Sequence, residues 1–327
     1  MSREAVVEAI RNASRITAIC HENPDADTLG SALAIRIAAE RLGKQAEVVA
    51  ADPVPPSLVD LPGASEVRAT PGLEPDVAVV LDGTLARTGS VVTASADWLS
   101  RARIVNIDHH VSNDGVGTVA AWIDPQAAAT CEMVALLIPE LGVEIDAEIA
   151  SVLTAGMVQD THTFSHPNTT PRTLRVAADL VEAGAPLAAI HRSIYADKPF
   201  STLALWGEML AGVAQRREGR IVYALMTTAM LANTGTDPVA SEGFIDLLAS
   251  TKVADITALI KEVDATHTRV SVRTSARADA VAITSAFGGG GHARAAGCSI
   301  DAPLPEAMAR LLEECERELD RADARGR

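Results

Sequence analysis

The first half of the chain alternates short apolar runs with longer amphipathic segments, which is the pattern of a parallel α/β sheet. Four apolar runs predict strands, at residues 15–20, 46–50, 76–83 and 103–110. Apolar residues are continuous in these runs rather than alternating, so we expect helices on both faces of the sheet. Helices are predicted at about 29–42, 127–140, 146–158 and 171–183.

The second half has a different order of elements and predicts a separate domain. Residues 185–217 continue as helix with breaks at Pro186 and Pro199, and could connect two domains. Strands are then predicted at 220–226, 255–263 and 268–275, and helices at 239–249, 279–287 and 303–322. We predict a catalytic domain at 1–190, a helical linker at 191–217 and a smaller mixed α/β domain at 218–327, with a cleft between the domains.

Length and composition agree with a two-domain globular protein. The chain has 327 residues, of which 48% are hydrophobic and 22% charged, enough to build a sizeable core. No window reaches the roughly 20 apolar residues of a membrane span, and the first residues lack the apolar block of a signal peptide. The four cysteines are far apart and form no C-x-x-C pair, which argues against disulfides and zinc–thiolate sites. We therefore expect a cytoplasmic protein without a membrane partner.

The formal net charge of −15 argues against a protein that holds long nucleic acid on a broad basic surface. It leaves room for a local basic pocket that binds a short or monomeric phosphate ligand. Acidic composition also serves solubility alone. Aromatic residues make up 3% of the chain, so there are few platforms on which the bases of a long single strand could stack.

Residues that could bind metal recur where the predicted strands end. They are His21, Asp25 and Asp27 after the first strand, Asp82 after the third, and Asp108, His109 and His110 at the end of the fourth. Asp160 follows a predicted helix. The carboxyl ends of parallel strands meet at one edge of a sheet, so these side chains should be neighbours. Carboxylate and imidazole without thiolate suit Mn²⁺ or Mg²⁺, and five or six such ligands suit two ions about 3.5–4 Å apart.

Each of these pieces has an ordinary structural explanation when it stands alone. The "PDAD" segment could cap a helix, Asp82 before Gly83 could belong to a turn, and "DHH" could be a hydrogen-bonded polar cluster. Their joint occurrence at successive strand ends favours a metal site, because crowded carboxylates repel one another unless a cation neutralises them.

The set of motifs resembles the DHH phosphoesterase superfamily. "HENPDAD" (21–27), "LDG" (81–83), "IDHH" (107–110) and "QDTHTF" (159–164) resemble its four successive motifs, and "GGGGHARAAG" (288–297) resembles the glycine–histidine motif of its associated C-terminal domain. Within the superfamily, the length, the layout and "PNTT" (167–170) are most similar to the bacterial nanoRNase/pAp-phosphatase group, which has cyclic-dinucleotide phosphodiesterases among its actinobacterial relatives.

The resemblance implies a role for each candidate residue of the N-terminal domain. His21 and Asp25 would bind one Mn²⁺, Asp27, His109 and Asp160 would bind a second, and Asp82 would bridge both. Asp108 would orient the ligands, and His110 would face the substrate phosphate, which makes Asp82, Asp108 and His110 the predicted catalytic residues. Mg²⁺ or Co²⁺ are alternative ions, and a homodimer is a further expectation from the family.

The glycine-rich loop is ambiguous when it is considered without the family. Four glycines let backbone N–H groups approach an anion, but they are equally a flexible turn. Arg273 on a predicted strand could grip a phosphate with two donors or be an ordinary edge-strand arginine. The resemblance favours phosphate binding, and implies a substrate site built from Arg273, Gly289, Gly290, Gly291, His292 and Arg294 together with His110.

The implied activity is hydrolysis of short phosphoesters by a water that two metal ions activate. The substrates would be short oligoribonucleotides, linear or cyclic dinucleotides such as pApA and c-di-AMP, and 3'-phosphoadenosine 5'-phosphate. Two alternatives stay open: a manganese inorganic pyrophosphatase, against which "GGGGHARAAG" argues, and a nucleotide sensor that does not hydrolyse.

The fourth motif departs from the family pattern. His162 stands where the family has glycine, so the residue could be strained, could contact metal or substrate, or could be exposed filler. His166 lies where it could touch a base.

Overall fold

The computed structural model describes residues 2–89, 91, 101–111, 113, 115 and 119–325, apart from the side chain of His292. The chain divides into two compact units, residues 1–197 and 198–327. The predicted linker at 191–217 is therefore shared between the two units. Within it, Leu205 and Met209 are buried beside Phe244 in a core of the second unit. Among the described residues, no helix has the length and apolar character needed to cross a bilayer.

The described part of the first unit is built on a five-stranded parallel sheet with strand order β2-β1-β3-β4-β5. The strands are β1 (Arg15–Ile19), β2 (Gln45–Val49), β3 (Val77–Leu81), β4 (Arg103–Asp108) and β5 (Ala120–Ile123). The predicted parallel α/β class is thus confirmed. Strand β5 was not predicted, because "AAWI" is short and half of it is alanine, a residue without strong preference for strands.

The helices of this unit are α1 (Arg3–Asn12), α2 (Ala26–Arg41), α3 (Thr130–Leu141), α4 (Ala147–Asp160), α5 (Pro171–Glu182) and α6 (Leu187–His191), followed by a π-helical turn, Arg192–Ala196. Helix α2 begins three residues before the predicted start, because the side chain of Asp25 caps it by accepting from the N–H groups of Asp27 and Thr28. All its residues from 26 to 39 are buried, so it is a central helix rather than a surface one.

Helices α2 and α4 lie unusually close together, because glycine occupies the contact on each of them. A Cβ atom at Gly30 would come within 2.3 Å of the carbonyl oxygen of Val152. A Cβ atom at Gly156 would come within 2.6 Å of Asp27 Oδ1. Contacts below 3 Å are not tolerated by carbon, so glycine at both positions lets the end of α4 approach the start of α2. This approach brings together the two helix ends that carry Asp27 and Asp160.

The second unit contains a mixed sheet of order β10-β11-β9-β8-β7-β6, in which β7 and β8 run parallel and the other pairs antiparallel. Its strands are β6 (Ala214–Arg216), β7 (Ile221–Met226), β8 (Ile256–Glu262), β9 (Thr268–Thr274), β10 (Gly290–His292) and β11 (Ala295–Ile300). Its helices are α7 (Phe200–Ala211), α8 (Thr228–Thr234), α9 (Phe244–Ala249), α10 (Ala280–Thr284) and α11 (Leu304–Arg325). The predicted mixed α/β character of this half is confirmed.

Candidate metal centre

The strand ends of the first unit position the candidate ligands as the sequence predicts. His21 lies two residues beyond β1, Asp82 directly follows β3, and His109 directly follows β4. Asp25 and Asp27 stand at the start of α2. Asp160 differs slightly from the prediction, since it is the last residue of α4 rather than a residue after the helix.

All six predicted ligands converge around Asp82. On one side, His21 Nε2 lies 3.3 Å from Asp82 Oδ2 and 3.7 Å from Asp25 Oδ1. On the other side, His109 Nε2 lies 3.5 Å from Asp82 Oδ1, 3.2 Å from Asp160 Oδ2 and 3.9 Å from Asp27 Oδ2. The ligand atoms fall into a group of His21, Asp25 and Asp82 and a group of Asp27, His109 and Asp160, and a third group of Asp82, Asp108, His109 and His110 overlaps both. Asp82 therefore presents one oxygen to each side.

The two histidines are oriented so that Nε2 faces the acids. His21 Nδ1 lies 2.7 Å from the carbonyl oxygen of Glu22, and His109 Nδ1 lies 3.3 Å from that of Ala127. A Nδ1–H group that donates to a carbonyl leaves the lone pair on Nε2, which is the atom a metal ion binds. The loops after β1 and β5 thus fix both rings in the orientation of metal ligands.

One buried atom at the centre lacks a hydrogen-bond partner. His109 Nε2 is buried and, among the described residues, makes no hydrogen bond of acceptable geometry despite its short distance to Asp160. Orphaned polar atoms are rare inside proteins and need an explanation. The donor set of two imidazoles and four carboxylates suits a divalent cation, which would bind this atom. The residues present therefore fit the predicted metal.

Charge repulsion among the acids supports the same conclusion. Burial, and after it the charge of Asp27, raises the pKa of Asp82 well above its usual range. The same two causes raise the pKa of Asp160 to about 7. Burial alone would lower the pKa of His109, but the nearby Asp160 and Asp27 outweigh it and raise that pKa to about 10. The centre thus favours bound positive charge at every one of these groups.

The N-terminus of α3 holds two of the carboxylates, a role that no sequence pattern indicates. The backbone N–H groups of Thr130 and Cys131 donate to Asp27 Oδ2 and Oδ1 over 2.6 and 2.8 Å. The hydroxyl of Thr130 donates to Asp82 Oδ1 over 3.1 Å. Helix N-termini stabilise carboxylates, so α3 fixes Asp27 with both its oxygens engaged. Thr130 and Asp27 are 103 residues apart in the sequence, so only the tertiary structure shows their contact.

Asp108 lies behind His110 and orients it. His110 Nδ1 lies 2.7 Å from Asp108 Oδ1, and Asn113 donates its side-chain amide to the other carboxylate oxygen. Burial would raise the pKa of Asp108, but the hydrogen bonds from His110 and Asn113 outweigh it and lower that pKa. His110 Nδ1 also lies 3.6 Å from Asp82 Oδ1, so the ring borders the metal cluster. Asn113 is a further residue that the sequence did not indicate.

The predicted substrate residues of the second unit lie around β9, β10 and β11. Arg273 on β9 donates to Asp246 Oδ1 over 3.0 Å, and Arg294 donates to the backbone carbonyls of Ser275 and Ala278. Arg294 is thereby engaged with its own unit. The side chain of His292 lies outside the described residues.

The glycine run is a tight hairpin rather than an open loop. Gly290 and Gly291 pair with β11, and a Cβ atom at Gly291 would come within 2.5 Å of the carbonyl oxygen of Ala295. A Cβ atom at Gly289 would likewise come within 2.3 Å of the carbonyl oxygen of Gly297. Close packing against β11 therefore accounts for glycine at two of the three predicted substrate positions in this run.

Two family profiles and several known proteins match the chain. The profile of the DHH family, N-terminal domain, matches residues 15–157, and that of the DHHA1 domain matches residues 218–321. A bifunctional oligoribonuclease and PAP phosphatase of Thermus thermophilus is 34% identical over 303 residues, which cover 92% of this chain and 89% of that protein. A probable manganese-dependent inorganic pyrophosphatase of an Exiguobacterium species is 28% identical over 171 residues, which cover 52% of this chain and 55% of that protein.

Among solved structures, an exopolyphosphatase-related protein from Bacteroides fragilis shares the fold. The TM-score is 0.90 at 22% sequence identity, and the match covers 98% of this chain and 97% of that protein. The match extends over both units of the chain.

Proposed function

The chain belongs to the DHH family of phosphoesterases, and from that premise we propose that it hydrolyses short nucleotide phosphoesters with two divalent ions, preferably Mn²⁺. The proposed substrates are oligoribonucleotides of a few residues, linear or cyclic dinucleotides such as pApA and c-di-AMP, and 3'-phosphoadenosine 5'-phosphate. The relative that matches nearly the whole chain is an oligoribonuclease and PAP phosphatase, which supports this choice of substrates. The manganese-dependent pyrophosphatase relative supports the choice of metal.

The observation that carries the proposal is the position of Asp82 between two groups of ligands. Asp82 Oδ2 lies on the side of His21 and Asp25, and Asp82 Oδ1 lies on the side of His109. A carboxylate with two oxygens suits a bridge between two ions. His21 and Asp25 would hold one ion, and Asp27, His109 and Asp160 would hold the other. Bound ions of this kind acidify water and neutralise charge on a phosphoryl group.

Around the ions, the chain's own residues orient the phosphate and supply a proton. The ring of His110 is held at Nδ1 by Asp108 and borders Asp82, and we assign to this ring the contact with a phosphate oxygen or with the departing ester oxygen. Hydrolysis forms a bond between a water oxygen and phosphorus and breaks the bond to the ester oxygen, which takes up a proton. Arg273 and the hairpin at Gly289, Gly290, Gly291 and His292 are proposed to bind a further substrate phosphate; Arg294 is the weakest candidate, because backbone carbonyls already engage it.

A metal-dependent assay tests the proposal. The purified chain is incubated with pApA, 3'-phosphoadenosine 5'-phosphate, c-di-AMP and pyrophosphate in Mn²⁺, in Mg²⁺ and in EDTA. We expect cleavage of at least one nucleotide substrate in Mn²⁺, none in EDTA, and a loss of about 100-fold or more in Asp82→Ala. The exposed Asp264, in the second unit, provides the control variant Asp264→Ala, which should keep full activity.

Two outcomes would contradict the proposal. Undiminished cleavage by Asp82→Ala would exclude a bridging role for this carboxylate. Pyrophosphate as the sole substrate would assign the chain to pyrophosphate hydrolysis instead.

A further inference from the structure

The loop after α4 carries two exposed imidazole rings that stack on each other. The ring centroids of His162 and His166 lie 5.3 Å apart and their planes differ by 13°. Tyr195 meets the His162 ring edge-on, with centroids 4.7 Å apart and planes at 62°. Neither histidine ring makes a hydrogen bond or an ion pair within the described part of the chain. The three rings therefore form an aromatic cluster of which two members are exposed to solvent.

The backbone beneath this cluster adopts an unfavourable conformation. His162, Thr163 and Phe164 have φ angles of +47°, +54° and +62°, the left-handed region that residues with side chains rarely enter. Local hydrogen bonds impose it: Thr163 N–H donates to the carbonyl of Val158, and Phe164 N–H donates to the hydroxyl of Thr161. Strain that is held in this way is characteristic of binding and active sites.

The loop does not present its backbone N–H groups to a ligand. The N–H groups of His162, Thr163, Phe164, Ser165 and His166 all donate to carbonyl or hydroxyl oxygens within the loop and the end of α4. An anion-binding nest needs free N–H groups, so none forms here. What the loop offers to a ligand is the face of an imidazole ring.

The cluster is anchored to the metal centre by several hydrogen bonds. His162 is two residues from Asp160, and Asn168 donates its amide to the carbonyls of Asp160 and Ala128 over 3.2 and 3.0 Å. The hydroxyl of Tyr195 donates to the carbonyl of Gln159 over 3.0 Å. The side chain of Gln159 in turn accepts from the N–H of Ala26, between Asp25 and Asp27, over 2.6 Å.

We propose that the His162–His166 stack is a platform for a nucleobase of the substrate whose phosphate lies at the metal centre. This inference rests on the proposed function, because it requires a nucleotide substrate. Histidine is among the side chains on which proteins stack unpaired bases, and a stacked base strengthens binding by about tenfold or more. A purine offers a larger face than a pyrimidine, so adenine nucleotides should benefit most.

Binding of two phosphates that differ only in the base tests the platform. Calorimetric titration of the full chain in Mn²⁺ compares 5'-AMP with ribose 5-phosphate. We expect the wild type to bind AMP about tenfold more tightly, and His166→Ala and His162→Gly to lose most of this preference while they keep the affinity for ribose 5-phosphate. Glycine suits the left-handed backbone at position 162, so that variant should fold. His267→Ala, which removes an exposed imidazole of the second unit, is the control and should keep the preference.

Two results would overturn the platform: an unchanged preference for AMP in both variants, or an equal loss of affinity for AMP and ribose 5-phosphate, which would mean that the loop only supports Asp160. A separate turnover assay with pApA tests the proposed function independently of the platform. Hydrolysis of pApA with an AMP preference that survives both His166→Ala and His162→Gly contradicts the platform alone. Absence of hydrolysis, with an AMP preference that the variants abolish, contradicts the proposed function and upholds the platform.

Discussion

Thr130 links the carboxylates of Asp82 and Asp27, because its hydroxyl donates to Asp82 Oδ1 over 3.1 Å while its backbone N–H donates to Asp27 Oδ2 over 2.6 Å. Asp27 is a proposed ligand of one ion, and Asp82 is proposed to bridge both ions with one oxygen toward each. A residue that fixes both carboxylates sets the distance between them. Thr130 is therefore a positioning residue whose effect passes through its neighbours.

Replacing Thr130 by valine keeps its shape and its backbone N–H but removes the hydroxyl. We expect Thr130→Val to weaken binding of Mn²⁺ by about tenfold, the lower end of the effect found when supports of metal ligands are lost. Thr130→Ser restores the hydroxyl and should bind Mn²⁺ nearly as the wild type does. The affinities are measured by competition with a metal-sensitive dye. Equal affinities in the valine and serine variants would show that the hydroxyl does not position Asp82.

Gly156 provides a second test of how the cluster is supported. A Cβ atom there would come within 2.4 Å of Cys131 Sγ and 2.6 Å of Asp27 Oδ1. We expect Gly156→Ala to lower the free energy of unfolding by about 1–3 kcal/mol, the usual cost of overpacking, and to weaken Mn²⁺ binding because Asp27 is displaced. Urea denaturation and dye competition measure the two effects.

A matched control exists in α7. Gly207 is also a helical glycine, but a Cβ atom there would meet nothing within 4 Å. Gly207→Ala should therefore raise stability by up to about 1 kcal/mol, since alanine favours helix. If Gly156→Ala behaved like Gly207→Ala, the close approach of α4 to Asp27 would not constrain the metal centre.

The positions of the candidate ligands could be predicted from the sequence, for a simple topological reason. His21, Asp82 and His109 follow buried parallel strands at a distance of at most two residues, and such strand ends meet at one edge of the sheet. A pattern of apolar runs, each followed by polar residues, therefore predicts polar side chains at the ends of neighbouring strands. The α/β class could be predicted from the same runs.

The supports of the ligands could not be predicted in this way. Thr130 and Asn113 make hydrogen bonds to Asp82 and Asp108 that cannot be predicted from the periodicity of the sequence. Gly156 is constrained only because α4 passes close to α2. Asp160 shows the intermediate case: the residue was identified as a candidate, but the helix ended two residues further along than its pattern indicated, on the candidate ligand itself. Positions that act through tertiary contact need the structure.

Arg172 and Glu132 form an ion pair between α5 and α3, next to the residues that hold Asp27. The Glu132 side chain is fully buried, and it accepts from the hydroxyl of Thr173 and from the N–H of Ala128 as well as from Arg172. We expect Arg172→Met to lower the free energy of unfolding by about 2 kcal/mol, less than for a fully buried pair because Arg172 is 38% exposed. Denaturation in urea measures the change.

Adding Glu132→Met to Arg172→Met should recover part of this loss, because the unpaired buried carboxylate is then removed. Arg317→Met is the control, since Arg317 is 59% exposed in its pair with Glu314, and the effect should stay within about 0.5 kcal/mol. A double variant less stable than Arg172→Met would show that Glu132 is needed for its hydrogen bonds rather than balanced by Arg172.

The charges of the centre predict that metal and carboxylate have opposite effects on stability. Burial, and then the charges of Asp27 and other nearby acids, raises the pKa of Asp82, which means that the ionised carboxylate is unfavourable in the metal-free fold. A divalent ion removes this penalty and adds its own binding free energy. The carboxylate proposed to bridge the ions is therefore a source of instability in their absence.

Asp82→Asn separates these two effects. In EDTA we expect the variant to melt at a higher temperature than the wild type, because a neutral amide replaces a buried carboxylate that its neighbours repel. At a Mn²⁺ concentration 100 times the dissociation constant, the wild type should gain about 2.7 kcal/mol and the variant much less, so that the order of melting temperatures reverses. The exposed carboxylate variant Asp264→Asn should shift with Mn²⁺ as the wild type does. Melting curves by scanning calorimetry measure all three proteins, and a wild type that gains nothing from Mn²⁺ would refute a metal centre at Asp82.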